Sequence, residues 1–391
     1  MKLKIGVLFG GQSVEHEVSI ISASQAMAAL DRAVYDVIPI YLTKDSELYS
    51  SSDLMKIEVF KDLKTLKAKT PQVTLAKLKQ KYFLLPVKPT LFPKPQELDV
   101  VIPVVHGTHS EDGTIQGYLE TIGIPYSGSD VMASAIGQDK VFMKLAFEKA
   151  GLPTVHWFSF NESDYRSNSS RILSEAKKLG YPLVIKPANL GSSVGISLVH
   201  DESSLSEAID LALSFDPKIL IEKAVLNLRE VNCSILGDGE SVKASVLEEV
   251  FKKDAILSYK DKYQGSSKSK TKGMASTSRL CPAPLNADLT QNVQDLAIQC
   301  FKSLGCQGVA RMDFLMDAKT GTMYVNEINT IPGSLSFYLW EASGLPFAKL
   351  MDALVQQAIH RHRQREKRIH SLESNLLESY RPSAKGSKSS V

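Results

Sequence analysis

The chain has 391 residues, of which 43% are hydrophobic and 23% charged, and these ordinary globular values exclude a largely disordered or fibrous protein. Its 46 basic and 43 acidic side chains give a net charge of +3, which argues against a nucleic-acid partner. No apolar run approaches the roughly 18 residues of a membrane span, and the first strand pattern is too short for a signal peptide. The four cysteines form no CxxC pair, so we expect a protein of the reducing cytoplasm without a membrane partner.

Strand and helix patterns alternate along the first part of the chain. Residues 4–9 and 34–42 predict strands with a helix between them, and residues 99–105 predict a buried strand that precedes a second helix. This alternation is typical of a parallel sheet, in which ligands lie beyond the carboxyl ends of the strands. We therefore expect the polar loops 11–17 and 106–113 to meet at one rim of that sheet.

The rest of the chain adds helices, strands and two segments of unusual composition. Helices are predicted at 139–150, 168–180, 288–304 and 345–364, strands within 153–160, 181–200 and 219–225, and hairpins at 232–250 and 309–329. Residues 45–95 carry no pattern that we can assign, and residues 254–280 form a long polar loop of the kind that is either functional or disordered. Composition shifts suggest an N-terminal α/β domain (1–129), a central domain (130–226), a C-terminal domain (227–360) and a basic, Ser-rich tail (361–391) that we expect to be mobile.

Four polar residues share a face of the second hairpin. Side chains two apart on a strand point the same way, which groups Arg311 with Asp313 and Glu327 with Asn329. Two carboxylates and an amide oxygen suit a hard cation, above all Mg²⁺ bridging phosphates, and a cation would relieve the repulsion between the carboxylates. The alternative is a solvated hairpin face with a surface ion pair, and the spacing alone leaves it open.

A glycine- and serine-rich loop lies between two strand patterns of the central domain. Gly191 and Gly195 flank two serines. Ser192 and Ser193 could direct hydroxyls and backbone N–H groups at phosphate oxygens, and Lys186 adds a cation before the loop. No Lys-Ser/Thr pair follows the last glycine, so this is not a Walker A loop. The alternative is a Gly-Ser turn beside an exposed lysine.

Two acidic loops lie at the expected rim of the first sheet. In GGQSVEHE, helix N–H groups are open to an anion, and Glu15 and Glu17 stand near the first helical turn, where a carboxylate could also bind an ammonium group. His106 and Glu111 follow the buried strand in HGTHSEDG. The alternatives are acidic residues that merely complement the helix dipole and a structural histidine.

These stretches follow one another in a particular order. Over residues 4–344, except 45–95, the chain resembles the D-alanine–D-alanine ligases of the ATP-grasp superfamily in the motifs GGQSVEHEVS, HGTHSEDGTIQG, DK at 139–140, IKPANLGSSVGIS, IEKAV, SYKDKY, KGMASTSR, ARMDF and NEINTIPG. The resemblance implies an α/β, three-domain ATP-grasp architecture with a parallel-sheet N-terminal domain and ATP between the central and C-terminal domains. It implies ATP-dependent ligation of two D-alanine molecules through an acyl phosphate, for peptidoglycan synthesis, by a cytoplasmic homodimer.

The resemblance also assigns roles to individual residues. ATP would be bound by Lys140 and Lys186 at the phosphates, Ser193 in the loop, Glu222 with the backbone of Lys223 and Val225 at the adenine, Glu230 at the ribose, and Lys262 from the polar loop. Two Mg²⁺ ions, for which Mn²⁺ could substitute, would be held by Asp313, Glu327 and Asn329. The polar loop 254–280 would act as a lid that excludes water.

Further residues would act on the amino acids. The first D-alanine would be oriented by Glu15 with His106 nearby, and Tyr263 of the lid would join Glu15 and Ser192 in a hydrogen-bonded set. The tetrahedral oxyanion would be stabilised by Arg311 and the Gly333 N–H. The carboxylate of the second substrate would be bound by Ser336.

The chain departs from the family pattern in three places. His109 stands where a glycine is usual, the stretch around Ser336 is a few residues shorter, and the tail has no counterpart. Ligation of D-alanine to D-lactate or D-serine is one alternative function, and a non-catalytic ATP-binding relative is another. A Rossmann oxidoreductase is excluded because GGQSVE lacks the third glycine of its motif.

Overall fold

Three β-sheets form the framework of the protein. The computed structural model describes residues 2–88, 95–251, 279–369 and 375. In chain order the sheets contain seven, four and five strands. Over these described ranges, no helix is long and apolar enough to cross a membrane.

The first sheet is mixed. Its strands are β1 (Leu3–Gly10), β2 (Tyr35–Leu42), β3 (Leu48–Tyr49), β4 (Gln72–Leu78), β5 (Lys81–Pro86), β6 (Gln96–Leu98) and β7 (Val100–Val105), and its helices are α1 (His16–Ala29), α2 (Leu63–Lys69) and α3 (Thr114–Ile122). The strand order is β6-β5-β4-β3-β2-β1-β7. As predicted, β2, β1 and β7 are parallel. The segment 45–95, which had no assignable pattern, supplies antiparallel strands that extend the sheet.

The loops that follow β1 and β7 meet at one rim, as the parallel arrangement predicts. The two strands are hydrogen-bonded neighbours, so their carboxyl ends lie side by side. The hydroxyl of Ser13 in the first loop donates to the carbonyl of His106 in the second, at 2.5 Å. A Cβ added at Gly11, whose φ is +98°, would lie 2.3 Å from the Ser110 hydroxyl. The close approach of the loops therefore requires glycine at that position.

The second sheet is antiparallel. Its strands are β8 (Trp157–Asn161), β9 (Leu183–Pro187), β10 (Ser197–Val199) and β11 (Lys218–Lys223), ordered β10-β9-β11-β8. Helices α4 (Val131–Gln138) and α5 (Lys140–Lys149) precede it, and α6 (Glu162–Ser167), α7 (Ser169–Leu179) and α8 (Leu205–Leu213) lie between its strands. Apolar residues of α7 and α8 pack with Leu183, Ile185 and Ile219 in a core of their own. The sequence predicted all of these elements except α4, α6 and α8.

The third sheet is also antiparallel. Its strands are β12 (Leu228–Gly237), β13 (Val242–Val250), β14 (Arg279–Leu280), β15 (Gly308–Asp317) and β16 (Met323–Asn329), ordered β14-β13-β12-β15-β16. Its helices are α9 (Ala287–Ser303), α10 (Phe337–Ala342) and α11 (Phe347–Glu366). Both predicted hairpins are present. One sheet face packs against α9 and α5, where Phe301 and Phe147 share a core with Met312 and Phe314.

The last helix connects the third sheet to the first. Leu350, Met351 and Leu354 of α11 belong to the core of the first sheet. The helix continues to Glu366, so the first six residues of the segment that we assigned to the tail are helical. Long-range contacts hold this end of the helix, because the Arg361 guanidinium donates to the carbonyls of Tyr126 and Gly128. Most of the predicted tail, residues 370–374 and 376–391, lies outside the described residues.

Candidate active site

The predicted polar face of the β15–β16 hairpin is present. Arg311 lies opposite Asn329 and Asp313 lies opposite Glu327, so all four side chains share one face, as the spacing predicts. The other face is buried and apolar, as expected, and contains Met312, Phe314, Val325 and Ile328. A bulge directly after Asp313 keeps the polar pairs in register and shifts the pairing beyond them.

The donor set on this face fits a hard divalent cation. The Arg311 guanidinium donates to both oxygens of Asp313, at 2.6 and 2.7 Å, and the Asn329 amide donates to Asp313 at 3.2 Å. The Glu327 carboxylate lies 3.6 Å from the Lys140 ammonium. In the part of the chain that the structure describes, no three His, Cys, Asp or Glu side chains are grouped for a metal. A cation here therefore needs the Asn329 amide oxygen beside the two carboxylates, which is a set typical of Mg²⁺.

The glycine- and serine-rich loop connects β9 and β10. Its two central serines, Ser192 and Ser193, have φ values of 55° and 60°, in the left-handed region that non-glycine residues rarely occupy. The Lys140 ammonium donates to the Leu190 carbonyl at 2.6 Å, and the Asn189 N–H donates to Asp216 at 2.7 Å. Backbone strain held in place by such contacts is typical of ligand-binding loops.

Glu15 joins the loops of the first sheet to the glycine- and serine-rich loop. The hydroxyl of Ser192 donates a hydrogen bond to the Glu15 carboxylate. A Cβ added at Gly191 would lie 3.3 Å from the same carboxylate, and one at Gly107 would lie 3.1 Å from it. Three motifs that are far apart in sequence thus meet at one carboxylate. The predicted Glu15–Ser192 pair is present, whereas its predicted third member, Tyr263, and also Lys262, lie outside the described residues.

His106 is buried and has protein partners on both ring nitrogens. Nδ1 is 2.8 Å from the Ile331 carbonyl, and Nε2 is 3.0 Å from the Ser22 hydroxyl. The Ser22 hydroxyl also accepts a hydrogen bond from the Ser334 N–H at 2.9 Å. Nδ1 thus contacts the loop after β16 directly and Nε2 contacts it through Ser22, and a place for His106 beside the substrate stays a prediction. Burial raises the pKa of the neighbouring Glu111 carboxyl.

Lys186 and Glu222 form a buried ionic cluster with a third residue that the sequence analysis did not single out. The Glu222 carboxylate lies 2.8 Å from the ammonium of Lys144 and 2.5 Å from that of Lys186. Burial alone would raise the pKa of Glu222, but the two ammonium groups lower it to about 2. The available signal was the helical spacing, which puts Lys144 one turn beyond Lys140 on the same face.

The residues predicted to bind the adenine and ribose lie along β11 and the start of β12. The ammonium of Lys223 donates to the carbonyls of Gly180 and Tyr181, at 2.8 and 2.7 Å, and its N–H donates to His156 at 2.8 Å. Because the ammonium and the backbone N–H of Lys223 already donate to protein carbonyls, only its backbone carbonyl is left for a contact with adenine. The Glu222 side chain is occupied by its two lysines. Val225 follows β11. Burial alone would lower the pKa of Lys186, but Glu222 above all, with Glu327 and Glu230, raises it.

The turn after β16 holds the residues predicted to act on the second substrate. Gly333 begins a short helical turn in which Ser334, Leu335 and Ser336 have φ values of 52°, 51° and 50°. The side chain of Ser336 is fully buried, and its hydroxyl has no hydrogen-bond partner among the described residues. Three consecutive left-handed residues and an unsatisfied buried hydroxyl are costly, and such features concentrate at functional sites.

A second polar cluster, which the sequence analysis missed, lies beside Arg311. The buried Glu248 accepts hydrogen bonds from Tyr338 at 2.8 Å, Asn232 at 3.1 Å and Arg279 at 3.2 Å. Asn232 lies opposite both Glu248 and Asp313, so this cluster continues the polar face of the hairpin. The sequence feature that could have revealed this cluster is the register of the 232–250 hairpin, which places Asn232 opposite Glu248.

Comparisons with known proteins agree with this geometry. The family profile described as "D-ala D-ala ligase N-terminus" matches residues 4–129, and "D-ala D-ala ligase C-terminus" matches residues 146–356. A D-alanine–D-alanine ligase from Thermosipho melanesiensis is 39% identical, covering 96% of this chain and 98% of the relative. One from Thermoanaerobacter sp. (strain X514) is 41% identical, covering 93% and 98%.

Solved structures give the same result. The D-alanine–D-alanine ligase from Coxiella burnetii has a TM-score of 0.77 at 31% identity, covering 94% of this chain and 96% of that one. A D-Ala:D-Ser ligase from Enterococcus faecalis has a TM-score of 0.76 at 29% identity, covering 92% and 100%. The three sheets and these structural neighbours agree with an ATP-grasp architecture, which confirms the predicted fold class. The chain belongs to the D-alanine–D-alanine ligase family.

Proposed function

We propose that this protein joins two D-alanine molecules to D-alanyl-D-alanine, with ATP converted to ADP and phosphate, for peptidoglycan precursor synthesis. The observation that carries the proposal is the meeting of three motif loops at Glu15 and Ser192. Relatives named D-alanine–D-alanine ligase, at 36–41% identity over nearly the whole chain, support it. The intact set of Arg311, Asp313, Glu327 and Asn329 argues against a non-catalytic relative.

ATP lies between the second and third sheets in this proposal. Lys186 and Lys140 contact its phosphates from the two sides of the cleft, and Ser193 contributes from the loop above them. The backbone at Lys223 and Val225 contacts the adenine, and Glu230 contacts the ribose. Lys186 is linked to the third sheet by a 3.2 Å hydrogen bond to Asn326, which supports a place for this ammonium between the sheets.

The first step is phosphoryl transfer. Glu15, held by Ser192, binds the ammonium group of the first D-alanine and so orients its carboxylate toward the γ-phosphorus of ATP. A carboxylate oxygen forms the new bond to phosphorus while the bond to ADP breaks, giving an acyl phosphate. Asp313, Glu327 and Asn329 would hold two Mg²⁺ or Mn²⁺ ions, which supply charge neutralisation at the phosphates when bound.

The second step is acyl transfer. The amine of the second D-alanine attacks the acyl carbon, the carbon–oxygen bond to phosphate breaks, and the amine loses a proton. Arg311 and the Gly333 N–H stabilise the oxyanion in this proposal, and both roles rest on the family resemblance. The buried hydroxyl of Ser336 has no hydrogen-bond partner among the described residues. In this proposal it donates a hydrogen bond to the carboxylate of the second D-alanine. The lid residues Lys262 and Tyr263 are assigned from the resemblance alone.

Transfer of isotopic oxygen tests this function and its acyl phosphate together. D-alanine with ¹⁸O in both carboxylate positions should give dipeptide and phosphate that carries one ¹⁸O per molecule. Phosphate without ¹⁸O would contradict the mechanism. L-alanine serves as the control and should release no phosphate.

We also propose that the enzyme is a homodimer and acts in the cytoplasm. The proposed oligomeric state rests on the family resemblance. The proposed location rests on the four free cysteines, which are typical of a reducing compartment, and on the use of ATP. Light scattering on the purified protein tests the first part, with twice the chain mass of 43.0 kDa expected.

A further inference from the structure

Lys144 is a buried cation for which the proposed function has no use. It lies on α5 with its side chain 1% exposed, and its only described ionic partner is Glu222 on β11. Helix α5 packs through Met143 and Phe147 into the core of the third sheet, whereas Glu222 belongs to the second sheet. The Lys144–Glu222 pair therefore joins a helix packed on the third sheet to a strand of the second sheet.

Glu222 contacts two lysine side chains. Its other oxygen lies 2.5 Å from Lys186, whose side chain is 9% exposed. The ammonium of Lys186 is the one that the proposed function directs to the phosphates of ATP. A lysine that moves toward phosphate weakens its contact with Glu222, and a buried carboxylate left without a cation costs several kcal/mol.

We propose that Lys144 is a positioning residue that neutralises Glu222 and thereby frees Lys186 for ATP. Glu222 always keeps one cation, so the ammonium of Lys186 can turn to the phosphates without leaving a buried charge unpaired. The inference rests on the proposed role of Lys186 and adds a function for a residue that contacts neither ATP nor amino acid.

Replacement of Lys144 by methionine tests the inference. Lys144→Met keeps the length of the side chain and removes its charge, so that Lys186 becomes the only cation for Glu222. We expect the KM for ATP to rise about tenfold or more, because part of the cost of the unpaired carboxylate now opposes binding. The kcat and the KM for D-alanine should change little. Lys149→Met, at an exposed position of the same helix, is the matched control.

A second substitution separates charge neutralisation from a merely structural role. In Lys144→Met/Glu222→Gln, the carboxylate that holds Lys186 is gone, so the KM for ATP should return to that of Glu222→Gln alone. Unchanged ATP KM in Lys144→Met overturns the inference, and so does a double variant that binds ATP more weakly than Glu222→Gln. If Lys144→Met does not fold, the KM for ATP of the double variant is compared with that of Glu222→Gln. A higher KM in the double variant then overturns the inference.

Lys186→Met distinguishes a failure of the inference from a failure of the proposed function. This variant should raise the KM for ATP strongly. If it does and Lys144→Met does not, only the role of Lys144 is wrong. If Lys186→Met leaves the KM for ATP unchanged, the phosphate role of Lys186 is wrong, and the inference falls with it.

Discussion

At the scale of single residues, the site depends on a few side chains that are held by partners far away in sequence. Ser192 contacts Glu15, His106 contacts Ile331, and both contacts join separate domains of the sequence-based division. The types and spacing of these residues are visible in the sequence. Their partners are not, because a one-dimensional pattern carries no information about which loops meet. For that reason the contact of His106 with the loop after β16 could not be predicted from the sequence.

Glu327, one of the two acidic residues of the polar face, gives the first prediction. Glu327→Gln keeps the shape of the side chain and removes the charge that a divalent cation needs. We expect the turnover rate to fall by more than about 100-fold at ordinary Mg²⁺, with partial recovery at high Mg²⁺. The thermal unfolding midpoint should stay close to that of the parent.

Steady-state phosphate release measures this effect. Glu240→Gln, at an exposed position in the turn between β12 and β13, is the matched control and should be as active as the parent. Near-normal turnover of Glu327→Gln at ordinary Mg²⁺ would refute the assignment of the cation site.

His16 gives a prediction about pH. Its ring is buried, with Nδ1 2.7 Å from the Gly11 carbonyl and Nε2 3.0 Å from the Tyr41 hydroxyl, and burial lowers its pKa below the usual value. The unfolded chain then binds a proton that the folded protein does not, so stability is present above about pH 6.5 and is lost as the pH falls below it.

Denaturant unfolding at pH 7.5 and 5.5 tests this linkage. The parent should lose more stability than His16→Gln over that interval, by up to about 1 kcal/mol, because glutamine does not titrate. Equal losses in the two proteins would show that His16 does not contribute to the acid sensitivity.

At the scale of elements, long periodic segments were predicted well and context-dependent ones were not. The strands β1, β2 and β7 stand out as short, nearly continuous apolar runs. The helices α7 and α9 stand out because their apolar residues repeat at helical spacing. The segment 45–95 forms short antiparallel strands whose partners lie in the same sheet, and its Lys- and Ser-rich pattern hides them. Helix α4 is short, so it follows tertiary packing more than periodicity.

The end of α11 gives a prediction at this scale. Arg361 donates to two backbone carbonyls and to Gln307, and its guanidinium lies 4.2 Å from the centre of the Tyr126 ring. Arg361→Ala removes these contacts of the last helix with the segment 126–128 and with Gln307. We expect the thermal unfolding midpoint to fall by about 2–6 °C. Arg363→Ala, on the exposed side of the same helix, should leave it within a degree or so, and equal shifts would contradict this account.

The tail gives a contrasting prediction. Deletion of 366–391 removes the segment beyond Arg361 and Arg365, whose contacts with the first sheet remain. We expect kcat to stay nearly unchanged in the phosphate-release assay. A large loss of kcat would show that the tail contributes to the enzyme.

At the scale of the whole molecule, buried ionic and hydrogen-bonding contacts join the second and third sheets. Lys144 and Lys186 connect the two sheets through Glu222 and Asn326, and α11 ties the third sheet to the first. Family resemblance in the sequence predicts this architecture, but the buried charges at its centre appear only when the sheets are brought together. These buried contacts between the sheets are therefore visible in the structure and not in the sequence.

Phosphate release from Mg·ATP tests the proposed ligation of two D-alanine molecules most directly. Purified protein would be given D-alanine alone, D-alanine with D-lactate, D-alanine with D-serine, or L-alanine, and the products would be identified by mass. We expect release with D-alanine alone and formation of D-alanyl-D-alanine. Release only with a mixed pair would assign a different second substrate, and no D-alanine-dependent release with any combination would contradict the proposed function.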